Sequence, residues 1–399
     1  MKAKTKIAII VSHPIQHFCP QYVSFAELDF CEVKVFFGSA MGYKKYMDAS
    51  FGKEIAWDNL QLDSFPHLFL NGDNVYPADK DLDAANLDAE LTAFSPDAII
   101  TYGYFQKLQQ RAQAWAKRNK IPVAFIADSE KRRKRPYLVE ALKYFYVRYR
   151  FRGIDHFLSV GDANEDYYRS YGISAKKMIR MPFPIDRGHF EKVYQQKNDH
   201  RVKVRKKYSI DDDTIVFGVV GKIETFKRQQ DIIEAMSRIG KDEKKTGLLI
   251  IGAGPNEDHL KEIVESSGDK RIVFTGFVQS KDLAELYASI DVYIHPSEKD
   301  AHSLAVSEAI YMGCPVLISD RCGSYGPTDD VQENKNGFVF KTGDIIELVS
   351  RMKEMTENEL LRKSFGDHSR MIGLQNQELA HGLGLKTLTD IIKSEKQFV

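Results

Sequence analysis

Cysteine is scarce: four residues in 399 (Cys19, Cys31, Cys314 and Cys322) lie in apolar or loop contexts without paired metal spacing. Four cysteines in so long a chain do not make a disulfide framework, which excludes a small secreted scaffold and fits a reducing cytoplasm. Long apolar runs are missing too. Nothing approaches the roughly 18–20 consecutive apolar residues that span a bilayer. The opening "MKAKTKIAIIV" is short and runs into His13 and Pro14 without a small-residue cleavage site, so it reads as a first strand and not a signal peptide. Net charge is nearly absent, at +1, which argues against a general polyanion binder and puts nucleic acid outside the expected partners. Proline and glycine show little bias, and there is neither an internal repeat nor a low-complexity tract, so disorder is not indicated.

What remains is an ordinary globular composition, 43% hydrophobic and 28% charged, on a chain long enough for two domains. "KIAIIV" (Lys6–Val11), "CEVKVFFG", "DAIITYG", "PVAFIAD" and "HFLSVG" are short apolar runs separated by stretches of helical spacing such as "FQKLQQRAQAWAKRNK". That βαβα rhythm predicts a parallel sheet with helices on both faces and ligands beyond the carboxyl ends of the strands. Across "PFPIDRGHFEKVYQQKNDHRVKVR" the apolar periodicity gives way to proline and charge. The rhythm then restarts through "TIVFGVVG", "GLLIIGAG", "RIVFTGF", "DVYIHPS" and "CPVLISD". The expected organisation is a Rossmann-like domain over 1–190, a linker over 191–205 and a second Rossmann-like domain over 206–374. A helical tail over 375–399 would pack back on the first.

Three stretches carry chemistry. In "SLAVSEAIYM", read as a helix capped by Ser303 and stopped by Gly313, Glu308 is an acid on a largely apolar helix. The N–H groups at Ser303, Leu304 and Ala305 would seat a phosphate, and Glu308, a turn deeper, would accept hydrogen bonds from an attached ribose. Equally open is a Glu308 that pairs with a cation or faces a wet gap. In "GVVGKIETFKRQQDIIEA" a strand ends at Gly218–Gly221, and Lys222 and Lys227 bracket the turn. Such lysines can offset the charge of a leaving diphosphate without a metal, although paired lysines in a surface loop are commonly just solvated. "GAGP" lacks the full dinucleotide fingerprint, which makes a dehydrogenase a weak reading.

The series "VGKIETFKRQQDIIEA", "LLIIGAGPNEDHLKEI", "IVFTGFVQSKDLAELYASIDVYIHPSEKDAHSLAVSEAIYMGCPVLISD" and "NGFVFKTGD" resembles, over about Val216–Asp344, the second half of retaining glycosyltransferases of family 4 with the GT-B fold. The first half is similar more loosely, through its rhythm and "HFLSVGDANEDYYRSYGI". The resemblance implies two Rossmann-like domains facing each other across a cleft, with a nucleoside-diphosphate sugar bound mainly by the second. The sugar would pass, with retention and without a metal or other cofactor, to a glycan, lipid-linked or other acceptor.

The family's paired acids fall on Asp300, facing the transferred sugar, and Glu308, on the ribose. Asp300 is one methylene shorter than the usual Glu, and Ala301 and His302 replace Gly-Phe, which makes the sugar pocket unusual. The family's Arg and Lys on the diphosphate fall on Lys222 and Lys227, beside Gly221; lysine at the first position keeps the charge but loses the planar fork. Backbone at Gly276, Phe277 and Val278 would lie near the nucleobase. Asp128 stands where related enzymes often carry a histidine near the sugar. An inverting GT-B transferase or nucleotide-sugar epimerase stays open, as does a non-catalytic nucleotide-sugar binding protein.

His13 and His17 follow the first strand in "SHPIQHF", in place of the family's glycine-rich loop, and would touch acceptor or donor phosphates or merely cap local backbone. Finally, residues 131–152, "KRRKRPYLVEALKYFYVRYRFR", hold nine basic residues against one acid, with aromatics interleaved. The stretch reads either as a surface for anionic lipid or as a solvated face with core aromatics. The implied setting is cytoplasmic, peripheral on the inner face of the membrane, in cell-surface polysaccharide or glycoconjugate assembly.

Overall fold

The computed structural model describes residues 4–48, 53–57, 60–132, 136–240 and 246–397. They form two compact units: Met1–Val160 with Asn164–Asp186 and Gln377–Val399, and Gly161–Ala163 with Arg187–Asn376.

In the first unit β1 (Thr5–Val11) and β2 (Cys31–Phe37) are followed by a short antiparallel ribbon of β3 (Tyr46–Asp48) and β4 (Lys53–Ile55). Then come β5 (His67–Phe69), β6 (Ala98–Tyr102), β7 (Val123–Ile126), β8 (His156–Ser159) and β9 (Met178–Arg180). Seven strands make one parallel sheet in the order β5-β2-β1-β6-β7-β8-β9. Successive side chains of a strand point to opposite faces, and both faces here are covered. Ile7, Ile9 and Val11 enter one core, while Ala8 and Ile10 enter the other. Double coverage is why these strands read as unbroken apolar runs instead of alternating ones.

The second unit repeats the plan with β10 (Ile215–Val220), β11 (Thr246–Ile251), β12 (Ile272–Phe274), β13 (Val292–His295), β14 (Val316–Ser319) and β15 (Gly337–Phe340), ordered β12-β11-β10-β13-β14-β15 and parallel throughout. Chain order reverses beside the first strand of each sheet, between β1 and β6 and between β10 and β13. Such switch points open a crevice at the carboxyl ends of the strands, where α/β proteins bind ligands.

Residues 191–205, expected as a linker, are instead ordered in helices Arg187–Gln195 and Lys197–Lys207 of the second unit. The second helix has almost no apolar stripe because a guanidinium anchors it. Arg205 is 1% exposed and donates to the carbonyls of Asp211, Asp212, Thr214 and Ser289 and to Asp291 Oδ2 at 2.7 Å. In the tail, a π-turn at Leu379–Leu383 precedes helix Gly384–Gln397. This segment is fixed within the first unit by Ser24 Oγ, 2.8 Å from His381 Nδ1, and by Gln21 Nε2, which donates to the Ala380 carbonyl. Among the described residues no helix is long and apolar enough to cross a membrane.

Candidate functional site

The switch point of the second sheet gathers most of the residues singled out by sequence. β10 ends at Val220, and the chain turns through Gly221 at φ 141°, a backbone conformation open to glycine. The Gly221 carbonyl lies so close to Gly252 that a Cβ there would overlap it. These two glycines let the turns after β10 and β11 pack backbone to backbone. Lys222 follows, its ammonium 2.6 Å from Glu224 and its carbonyl accepting from Gln229. A 3-10 turn, Thr225–Lys227, then aims Lys227 back across the sheet.

Lys227 Nζ donates to Asp300 Oδ2 at 2.7 Å, and His295 Nε2 lies 2.9 Å from the same oxygen. His295 is the last residue of β13, so the strand end and the turn after its neighbour converge on one carboxylate. Burial alone would push the Asp300 carboxyl up, but the hydrogen bond and charge of His295, then those of Lys227, hold it well below the usual range. Burial likewise works against a charged His295, yet contacts with Cys322 and Asp300 raise its pKa to about 9. At neutral pH the site is one anion flanked by two cations. His295 was not anticipated; the signal was the strand ending "YIH" five residues before the acid.

Helix Leu304–Tyr311 carries Glu308 inward, 7% exposed. The Tyr287 hydroxyl lies 2.9 Å from Glu308 Oε2 and 3.0 Å from the Ala305 carbonyl. Burial dominates and raises the Glu308 pKa to about 7, with the Tyr287 hydrogen bond opposing it. Of the two alternatives to a ribose role, no paired cation is found among the described residues; Glu308 meets a phenol. Ser303 occupies the N-cap position, but its side chain makes no capping bond, and its N–H donates to the Ser324 hydroxyl at 2.7 Å. The N-terminal seat expected over Ser303–Ala305 is therefore narrowed to Leu304 and Ala305.

His302 is placed apart from this cluster. Buried, it sets Nε2 3.2 Å from Asp329 Oδ1 and 3.8 Å from Asp330 Oδ2. Burial opposes its charge, and Asp329 and Asp330 outweigh that to raise its pKa to about 9. Among the described residues these three are the set with donor atoms spaced for a metal. Those atoms are already engaged: Asp330 accepts from Ser307 and Asn376, and Asp329 from the Asp330 N–H. The set is a buried, hydrogen-bonded polar cluster, and His302 is engaged there with two carboxylates. Gly276 closes the turn after β12, its carbonyl accepting the Gly252 N–H at 3.1 Å. Beside it, Phe277 and Val278 line a groove of about 380 Å³ with Lys203, Lys207 and Tyr208.

In the first unit His13 and His17 follow β1, and Asp128, exposed, follows β7, all at the carboxyl end of the sheet. Ser12 Oγ lies 2.9 Å from His13 Nδ1, and the His17 ring packs 4.4 Å from that of Phe18. Desolvation lowers both histidines to about 4, so they are neutral at pH 7.

Two doubly covered parallel sheets, each with polar groups at the switch point, define the GT-B class of fold. Over whole chains, the fold resembles that of Anabaena HepE in complex with UDP, at TM-score 0.70 and 15% identity, covering 97% of this chain and 100% of that one. A glycosyltransferase from Rickettsia africae matches at TM-score 0.71 and 14% identity, covering 98% of each chain. In sequence, residues 201–371 match the model of the family described as glycosyl transferases group 1. Relatives include the sulfoquinovosyl transferase SQD2 of Arabidopsis thaliana, 29% identical over 38% of this chain and 28% of that protein. The alpha-monoglucosyldiacylglycerol synthase of Streptococcus pneumoniae is 24% identical over 55% of this chain and 51% of its own. The matched stretch thus spans about half or less of each of these relatives.

Proposed function

We propose that the protein is a glycosyltransferase that takes a nucleoside-diphosphate sugar at the second unit and transfers the sugar to a glycan or lipid-linked acceptor. Transfer proceeds with retention and without a divalent metal. The observation that carries this reading is the convergence of Lys227 and His295 on Asp300 at the β10–β13 switch point, with Glu308 buried on the helix that starts beside it. The HepE complex with UDP supports a nucleotide donor, and a relative named for a glucosyldiacylglycerol product supports an acceptor bearing a lipid.

In this reading Glu308 accepts the ribose hydroxyls. Asp300 accepts a hydroxyl of the sugar and is kept ionised and oriented by His295 once Lys227 turns to the diphosphate. As the bond to the sugar breaks, negative charge grows on the diphosphate. Lys222, Lys227 and the N–H groups of Leu304 and Ala305 offset that charge where it develops, which accelerates transfer more than equal binding of the ground state would. Lys222 and Lys227 must then exchange their carboxylate partners for phosphate oxygens, so the ligand-free ion pairs act as placeholders.

The test is a thermal-shift screen against UDP-, GDP-, ADP- and dTDP-sugars with and without EDTA, followed by NMR of the product's anomeric configuration. One donor should raise the melting temperature in EDTA, and the product should keep the donor's configuration. An inverted product would replace retention, and a shift that EDTA abolishes would overturn metal independence. Binding without hydrolysis or transfer to any acceptor would leave a nucleotide-sugar binding protein.

A further inference from the structure

Helix Tyr137–Phe151 of the first unit has two apolar faces. Val147 and Phe151 are buried in the core beneath it. On the other face Leu138, Leu142, Phe145 and Tyr149 are 75%, 73%, 71% and 66% exposed. Steps of four, three and four residues align them in one stripe along the helix. Single exposed apolar side chains are ordinary, whereas a continuous stripe marks a contact surface. At 3.6 residues per turn, Arg152 and Arg148 flank the stripe on one side; on the other, Tyr146 lies beside it, with Arg150 and Lys143 farther round toward the core. Arg133, Lys134 and Arg135, which precede the helix in sequence, lie outside the described residues.

A second observation is independent of the stripe. A groove of about 1390 Å³ begins at Tyr149 and runs past the amino-terminal ends of β7 and β8. Lys117, Lys120, Arg150, Arg152, Lys176 and Lys177 line it, against the acids Asp155 and Glu395. Asp155 is already committed to the Val123 N–H at 2.9 Å. At the wall stands His156, 5% exposed, with neither ring nitrogen hydrogen-bonded among the described residues; Glu395 Oε2 is 3.8 Å from its Nε2. Arg150 Nη2 donates to the Tyr104 carbonyl at 3.0 Å, while its Nε is buried without a hydrogen-bond partner among the described residues. Unmet donors in a cationic groove point to an anion. The groove lies at the amino-terminal edge of the sheet, opposite the edge where α/β proteins bind substrates.

We propose that the first unit docks on an anionic lipid bilayer. The helix lies in the headgroup layer with Leu138, Leu142, Phe145 and Tyr149 inserted, and the groove continuous with Tyr149 receives a lipid phosphate. A free anion would leave the apolar stripe without a role. A lipid surface uses both features, apolar insertion and basic attraction acting in one plane.

The experiment is flotation of the full chain with phosphatidylcholine vesicles, with and without phosphatidylglycerol. The protein should float with the anionic vesicles only. Leu142→Ser and Phe145→Ser should each weaken partitioning by about tenfold, the loss of one inserted apolar side chain. Lys120→Gln and Lys177→Gln should weaken it about fivefold each on anionic vesicles and lose that effect in high salt. All four positions are on the surface, so circular dichroism should be unchanged. Wild-type flotation that is equal on neutral vesicles, or undiminished by the Ser variants, overturns the proposal. So does a serine-induced change of oligomeric state in light scattering without vesicles, which would assign the stripe to a second copy. Because flotation needs no sugar donor, it fails or succeeds separately from the transferase reading.

Discussion

Replacing Glu308 by Gln should change the pH dependence of stability. The carboxyl is 7% exposed, and burial raises its pKa from 4.5 to about 7. Between those values the folded state holds a proton that the unfolded state has released, so the folded state binds more protons and stability falls as pH rises through the window. The interval from 4.5 to about 7 corresponds to a total of about 3 kcal/mol. Gln is nearly isosteric and stays neutral, and the Tyr287 hydroxyl can donate to its carbonyl as it now does to Oε2. The variant should therefore gain on the wild type by about 2–3 kcal/mol between pH 5 and pH 8. His295 and His302 titrate in part of that range, but they are present in both proteins and cancel in the difference. Urea unfolding of the two proteins in parallel, at half-unit pH steps, measures it. A difference that stays flat would refute the claim that desolvation governs this carboxyl. In the transferase reading the same substitution should weaken nucleotide binding by about ten- to a hundredfold, the loss of hydrogen bonds to a charged acceptor. Greater stability with poorer binding would identify Glu308 as an acid kept for function at the fold's expense.

Asp300→Asn should release His295 and lower its imidazole pKa from about 9, read by NMR titration, while transfer falls by roughly 10²–10³-fold; an unchanged His295 titration would contradict the pairing. His302 is also raised, from 6.5 to about 9, so its stabilising contribution is complete below pH 6.5 and lost as pH climbs through 9. The melting temperature should decline across that window, and His302→Asn should flatten the decline. Arg205→Leu removes the cation from Asp291 and four carbonyls and should cost about 3–5 kcal/mol in urea unfolding; a loss below 1 kcal/mol would mean water replaces the guanidinium.

The strands were legible because parallel sheets covered on both faces demand unbroken apolar runs, and every run quoted from the sequence became a strand of one of the two sheets. The helices of 187–207 were not. Periodicity finds a helix by its apolar stripe, and Lys197–Lys207 is held by Arg205, with Arg201 bonding Asp291 from the same helix at 2.7 Å. A charge run and a buried guanidinium anchor look alike in one dimension. Helix Tyr137–Phe151 posed the converse difficulty. Its aromatics can be read as core or as surface, and both are present, since Phe151 is buried while Phe145 is exposed.

At the site, two acids can be read in the sequence but their charge states cannot. Asp300 and Glu308 stand eight positions apart, and each looks like a carboxylate at a strand or helix end. Their neighbours separate them. Asp300 receives two cations from different elements, Lys227 from the turn after β10 and His295 from the end of β13, and together they outweigh its burial. Glu308 receives one phenol, and burial prevails. Neither cation is adjacent to Asp300 in sequence. Lys227 arrives from 73 residues away, and only the parallel order that sets β10 against β13 brings it there. The same fold thus holds one carboxyl well below the usual range and lifts the other to about 7, a difference between two acids that environment creates and spacing cannot reveal.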